Sequence, residues 1–367
     1  MGRTRPSVGL APAAFRKDAR AKKAKATINK VIPALLSAHP RARRGIDSSE
    51  LITPGNLQMK EDTAPGDVKP SPRVTLRVAD TLAVAHSLLT AQDSTRADLN
   101  NRQARVVILN MASTLSPGGG FLNGASSQEE SLCMRTTLLP SLRDSFYRLP
   151  ELGAVYTPDV LVHRDEQSED LSKSKRWFVD CVSAAMLRQP DTDVDGDGAA
   201  VKYANPRDRE LVVQKMHFVM SLMQAKGARN VVLGAWGCGA YGNPVGEVAT
   251  AWKSVLIGSG KGNSGRNWDG IEEIVFAINE KGLADKFAEY FGDGLARDEA
   301  GNTPNGEGGE NLEDTEIGTL SDKIRETNVS MEQAKSPHFK IGLSRVLSGL
   351  EDQLRTQQIQ RSASESG

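Results

Sequence analysis

Between residues 74 and 291, short apolar runs alternate with segments of helical spacing. VTLRVAD (74–80) alternates β-branched and polar positions and predicts a strand. ADTLAVAHSLLTA (79–91) spaces Leu82, Ala85, Leu88 and Leu89 for one face of a helix. RVVILNMA (105–112) is an unbroken apolar run, the mark of a strand covered on both faces. SSQEESLCMRTTLLPSL (126–142) predicts a helix, GAVYTPDVLVHRD (153–165) a strand hairpin or paired strands, and RWFVDCVSAAML (176–187) another strand. An amphipathic helix over 206–227 ends at Gly227. RNVVLGAWGCGAYGN (229–243) is a strand that runs into a glycine-rich loop, with a helix over 245–256 behind it. IEEIVFAIN (271–279) and LADKFAEYF (283–291) close the series as strand and helix. Strands that alternate with helices, and that read as apolar runs, give an α/β layer protein with a mostly parallel sheet.

The flanks differ. Residues 1–25 are basic and read as a flexible arm, continuing into helix through Ile28, Val31, Leu35 and Leu36. The basic cluster at 16–25 fits a nuclear import signal as well as a solvated helix face. Pro, Gly and charge make 53–73 a linker. The domain division is therefore an arm, helical extension and linker at 1–73, an α/β domain at 74–292, and a polar tail at 293–367 that reads as largely disordered. Within the tail, 336–360 has the spacing for one more amphipathic helix.

The 367 residues are 38% apolar and 25% charged with zero formal net charge, so no global field favours nucleic acid, and direct DNA binding is not indicated. Three cysteines without a CxxC pair fit a reducing compartment, nuclear or cytoplasmic. The absence of a run of about 18 apolar residues argues against membrane partners. His39, His86, His163, His217 and His338 have no metal-like spacing. DTDVDGDG (191–198) starts like a Ca²⁺ loop, but Lys202 and Ala204 stand where Glu is required, so it reads as an acidic surface loop. No metal and no cofactor are expected.

Two loops carry the candidate chemistry. In the first, the strand ending near Asn110 meets Gly118, Gly119 and Gly120, then a helix start with Gln128, Glu129 and Glu130. Glycines let backbone N–H groups approach a ligand closely, and a helix N-terminus suits phosphate. Ser127 with Glu130 also matches a capping box, under which the acids serve only the helix. In the second, Gly234, Gly237, Gly239 and Gly242 follow a β-branched run, at the strand end where open α/β sheets bind ligands. Trp236 and Tyr241 are placed to pack on a sugar or base, or to fill core. Neither loop matches a Walker A or dinucleotide fingerprint, which disfavours ATP hydrolysis and hydride transfer.

Gly118, Gly119, Gly120 and the Gln128, Glu129, Glu130 triplet within LNMASTLSPGGGFLNGASSQEESLC resemble the signature of poly(ADP-ribose) glycohydrolases of the compact microbial type. GAWGCGAYGN resembles that family's diphosphate loop, and the likeness spans about residues 74–291. The resemblance implies a macrodomain-like three-layer α/β/α sandwich with a mixed, mostly parallel sheet. It implies Glu130 as acid/base catalyst, Glu129 as the holder of ribose hydroxyls, and no cofactor. Gly118, Gly119, Gly120 and Gln128 would line the distal ribose, with Asn110 and Ser113 beside it. Gly237, Cys238, Gly239 and Ala240 would hold the diphosphate, and Tyr241, often Phe in the family, would present its ring to the ribose. Asp80 would meet the adenine amine. Implied partners are poly(ADP-ribose), ADP-ribose and ADP-ribosylated proteins. Alternatives are a non-catalytic ADP-ribose reader and a hydrolase of another ADP-ribosyl linkage.

Overall fold

The computed structural model describes residues 13–58, 71–90, 105–194, 201–258 and 268–298, together with Leu347 and Arg355. Its strands are β1 (Glu50–Ile52), β2 (Arg73–Arg77), β3 (Val106–Met111), β4 (Ala154–Val162), β5 (Trp177–Ala184), β6 (Thr192–Val194), β7 (Val201–Tyr203), β8 (Asn230–Leu233), β9 (Glu273–Ala277) and β10 (Ala296–Arg297). Among the described residues, eight of them form one sheet in the order β1-β4-β5-β3-β8-β9-β2-β10. From β5 to β10 the pairs are parallel; β4 runs antiparallel to β5, and β1 to β4. The helices are α1 (Ala13–Ala26), α2 (Ile32–Ala38), α3 (Pro40–Asp47), α4 (Thr81–Thr90), α5 (Gln128–Arg135), α6 (Pro206–Ala225), α7 (Val245–Leu256) and α8 (Lys281–Phe291).

Alternation along β3 explains the layers. Val107 and Leu109 face the cluster built with α6, α7 and α8, while Val106 and Ile108 face the one built with α4 and α5. Side chains of a strand point alternately to its two faces, so an all-apolar strand must be covered twice. The result is the expected α/β/α sandwich. Two helix starts have a side-chain cap. Asp80 Oδ1 accepts from Leu82 N–H (2.9 Å) and caps α4. Asn205 caps α6 through Arg207 N–H, with Pro206 at the first helical position.

Two expectations change. Residues 153–165 do not form a hairpin: β4 is one strand with a bulge between Thr157 and Val160. The turn-like Pro158 and Asp159 lie at that bulge, where Asp159 takes φ 52° and its N–H donates to Asp180 Oδ1. The helix after the first glycine loop stops at Arg135, because Thr136 turns extended and bridges to Val162. The chain joins one compact unit from Ala14 to Gly301, and β1 is a strand of the main sheet. The described residues 14–58 thus lie in the same unit as the α/β domain, and the helical extension expected ahead of residue 74 is present as α1, α2 and α3. The acidic segment 191–198 enters a small hairpin of β6 and β7, its tip lying outside the described residues. Of the tail expected from 293, residues 293–298 are described and add β10 to the sheet; the rest, with the helix expected at 336–360, lies outside the described residues, except that Leu347 and Arg355 are helical. No helix among the described residues is long and apolar enough to cross a membrane.

Helix α3 crosses β4 closely: a Cβ on Gly45 would sit 2.2 Å from the Pro158 carbonyl oxygen. Neither backbone can yield cheaply, so Gly45→Ala is expected to cost roughly 1–3 kcal/mol and lower the melting temperature. An unchanged melting curve would contradict this docking of the N-terminal segment.

Candidate active site

At the carboxyl end of β3 the chain turns back over α5. Gln128 makes this possible: its Oε1 accepts from Met111 N–H (2.9 Å) and its Nε2 donates to the Leu109 carbonyl (2.8 Å). With Nε2 donating also to Thr81 Oγ1 (3.4 Å), Gln128 fixes the strand end. Ser127 makes no side-chain cap to α5, and the capping-box reading fails. Glu130 turns inward instead, and its Oε1 accepts from Gly120 N–H at 2.8 Å. Glu129 Oε2 accepts from Ser113 N–H at 2.8 Å. The two side chains are only 4% and 8% exposed, in chain order. Gly119 is required here: with φ 55°, a Cβ would fall 2.8 Å from Glu130 Oε1 and 2.9 Å from Glu129 Oε2.

Burial pushes the Glu129 carboxyl up to about 7; the neighbouring Glu130 charge adds to this, while Ser113, Gly118 and the Asn110 amide pull the other way. Asn110 is fully buried and donates from Nδ2 to Ser183 Oγ (3.0 Å). Asn110 Oδ1, Glu129 Oε1 and Glu130 Oε2 are buried without a hydrogen-bond partner among the described residues. Buried polar atoms normally find partners. Three such atoms, on the end of β3 and the first turn of α5, make this a candidate site for a polar ligand.

The second loop follows β8, which lies parallel to β3. Gly237, at φ 83°, must lack a Cβ because Asn243 Nδ2 and Met186 would lie within 2.7 Å of it. Asn243 knits the loop from inside, donating to the carbonyls of Leu187 (2.7 Å) and Gly237 (3.1 Å). The N–H groups of Cys238, Gly242 and Asn243 are used within the loop. Those of Gly237, Gly239, Ala240 and Tyr241 make no hydrogen bond among the described residues, and Gly239 and Ala240 are exposed. Such a row of free donors suits an anion. Burial pushes the Cys238 thiol up to about 12. The two loops meet directly: Thr114 N–H donates to the Tyr241 hydroxyl at 3.1 Å. Trp236 is core, 1% exposed and packed near Trp252, so its ligand-stacking reading fails.

Other residues enter that sequence reasoning missed. The Tyr147 hydroxyl is buried without a partner among the described residues, and burial, followed by the Glu129 charge, raises its pKa. Its segment is held by Leu149 N–H donating to the Thr114 carbonyl (3.1 Å). No periodicity in DSFYRLP signals this. Asp80 proves to be paired: its Oδ1, besides capping α4, accepts from Arg135 Nη1 at 2.7 Å.

Residues 36–165 match the family model for the microbial-type PARG catalytic domain. The match begins within α2, well before residue 74, and contains the acid loop but not the second loop. Among solved structures, poly(ADP-ribose) glycohydrolase from Thermomonospora curvata is similar at TM-score 0.59 and 24% identity, over 75% of this chain and 100% of that one. The same enzyme bound to the inhibitor ADP-HPD gives 0.56 and 23%, with the same coverage. The Deinococcus radiodurans enzyme in complex with ADP-ribose gives 0.50 and 20%, over 69% of this chain and 97% of that one. The macrodomain-like fold is thus shared with these glycohydrolases. No curated protein sequence matches the chain.

The raised Glu129 pKa has a consequence for stability. Between the ordinary value of 4.5 and about 7, the folded chain holds a proton that the unfolded chain has released. Stability from this group is complete below the unfolded value and is lost as pH rises through 7, by about 3 kcal/mol. Glu129→Gln should therefore raise the melting temperature at pH 8 and leave it nearly unchanged at pH 4.5. Equal shifts at both pH values would refute the assignment.

Proposed function

We propose that this chain is a glycohydrolase of the microbial poly(ADP-ribose) type, which cuts ribose–ribose O-glycosidic bonds and releases ADP-ribose, with Glu130 as general acid and then base. The observation that carries this reading is the inward pair Glu129 and Glu130, buried with an unpartnered oxygen on each, in a pocket tied to the donor-rich second loop through Tyr241. The diphosphate binds the free N–H groups of Gly237, Gly239 and Ala240. The distal ribose lies over Gly118, Gly119 and Gly120, beside Asn110, Ser113 and the Tyr241 ring. Clamping the diphosphate sets the scissile bond against the acid pair.

Cleavage passes through an oxocarbenium-like state, and the leaving hydroxyl needs a proton. Glu130 gives that proton from its carboxyl, then takes one from the attacking water. Glu129, with a pKa of about 7, exists in both protonation states near neutrality and can donate to or accept from a ribose hydroxyl. Its position holds the sugar while Glu130 works. Substrates are poly(ADP-ribose) chains, free or on ADP-ribosylated proteins. Free thiols at Cys133, Cys181 and Cys238 fit work in a reducing compartment inside the cell.

Glu130→Gln should bind ADP-ribose at near wild-type affinity while release of ADP-ribose from labelled polymer falls about a thousand-fold. A variant that remains active would reject Glu130 as the acid. An unmutated protein that binds ADP-ribose but shortens no chain would be a reader.

A further inference from the structure

We infer that the exposed cations carried by α1 and the turn after it form a docking surface for the polyanionic stretch of substrate that extends beyond the ADP-ribose unit in the pocket. This rests on the function proposed above. The residues around α1 are Arg16, Lys17, Lys22, Lys25 and Lys30, all exposed, against one exposed acid, Asp18. None of these five cations forms an ion pair among the described residues. Arg20 and Lys23, by contrast, are spent on holding the helix down: Arg20 Nε donates to the Gly124 carbonyl (2.8 Å), and Lys23 Nζ to the Ser168 carbonyl (2.8 Å).

What α1 is fastened to gives the face its meaning. A Cβ on Gly124 would lie 2.1 Å from the Lys17 carbonyl oxygen, so helix and turn are in backbone contact. Gly124 closes the turn Phe121–Asn123, which directly follows Gly120, the residue that holds Glu130. Ala24 packs with Phe121, Cys133 and Met134, and the last two belong to α5 itself. Arg164 Nη1 locks the junction, donating to Thr27 Oγ1 and to the Met134 carbonyl, both at 2.8 Å. A cationic face is thus held firmly on the two elements that present the acid.

Zero net charge over the whole chain makes this a local field. Its complement is a substrate with a diphosphate in every unit. With one unit in the pocket, the adjoining units need a cationic track continuous with the acid loop. Cations that meet phosphate displace counterions, so their contribution falls with salt.

The test uses the full chain with Arg16, Lys17, Lys22 and Lys25 all changed to Gln. On long poly(ADP-ribose), kcat/KM should fall roughly ten-fold at low salt, mainly through KM, and its log–log salt slope should shrink by roughly 2 to 3. On the ADP-ribose dimer, kcat/KM should not change, which also reports intact folding. Unchanged long-chain kinetics, or an equal loss on the dimer, would overturn the inference. So would tighter binding of this face to single-stranded RNA than to polymer of equal charge, measured in the Glu130→Gln background. If the unmutated chain cleaves neither substrate, the proposed function fails. Binding of long polymer with and without the four substitutions then still decides the docking face.

Discussion

The hydrogen bond from Gly120 N–H to Glu130 Oε1 turns a carboxylate away from solvent and folds the first loop back over its own helix. A helix N-terminus ordinarily keeps its acids at the surface, where the dipole and capping favour them. Here two adjacent acids are buried together, at a free-energy cost visible in the raised Glu129 pKa. The surroundings supply the compensation: Ser113 N–H on Glu129, Gln128 bracing the end of β3, and a glycine where any side chain would strike both carboxylates. Stability is given up where two carboxylate oxygens stay buried and unpartnered among the described residues, a compromise common at sites of function.

Sheet topology turns that local arrangement into a site. Strand β3 has β5 on one side and β8 on the other, all three parallel, so the loops leaving their carboxyl ends converge. The loop after β5 contributes Met186 and Leu187, which press on and anchor the second glycine loop. The Tyr241 hydroxyl then joins the second loop to the first. A phenylalanine there would keep the ring and lose the tie. From the outer side, α1 rests on the turn that follows the glycines of the first loop.

The core was legible because strands such as 105–112 are apolar at every position, a pattern only a doubly covered sheet explains. The glycines of both loops were legible because their spacing is unusual. Which way the acids face was not: Ser127 and Glu130 satisfy the capping-box spacing, and only tertiary contact with Gly120 decides against it. The hairpin reading of 153–165 missed that the strand only bulges, because Asp159 at the bulge is held by Asp180 and Arg41, both distant in sequence. The docking of α1 was hidden for a similar reason. Its buried face is small, Ala24 with Thr27 just past its end, and its many lysines made it resemble a free arm. Tyr147 carried no signal, since its place depends on a backbone bond to Thr114.

The central claim is that the acid pair and the second loop grip one ligand between them. A crystal structure of the chain with ADP-ribose tests it most directly. The account requires diphosphate oxygens within about 3 Å of the Gly239 and Ala240 N–H groups and the distal ribose in hydrogen-bond reach of Glu129 and Glu130. A ribose remote from both carboxylates, with the diphosphate held elsewhere, would contradict it.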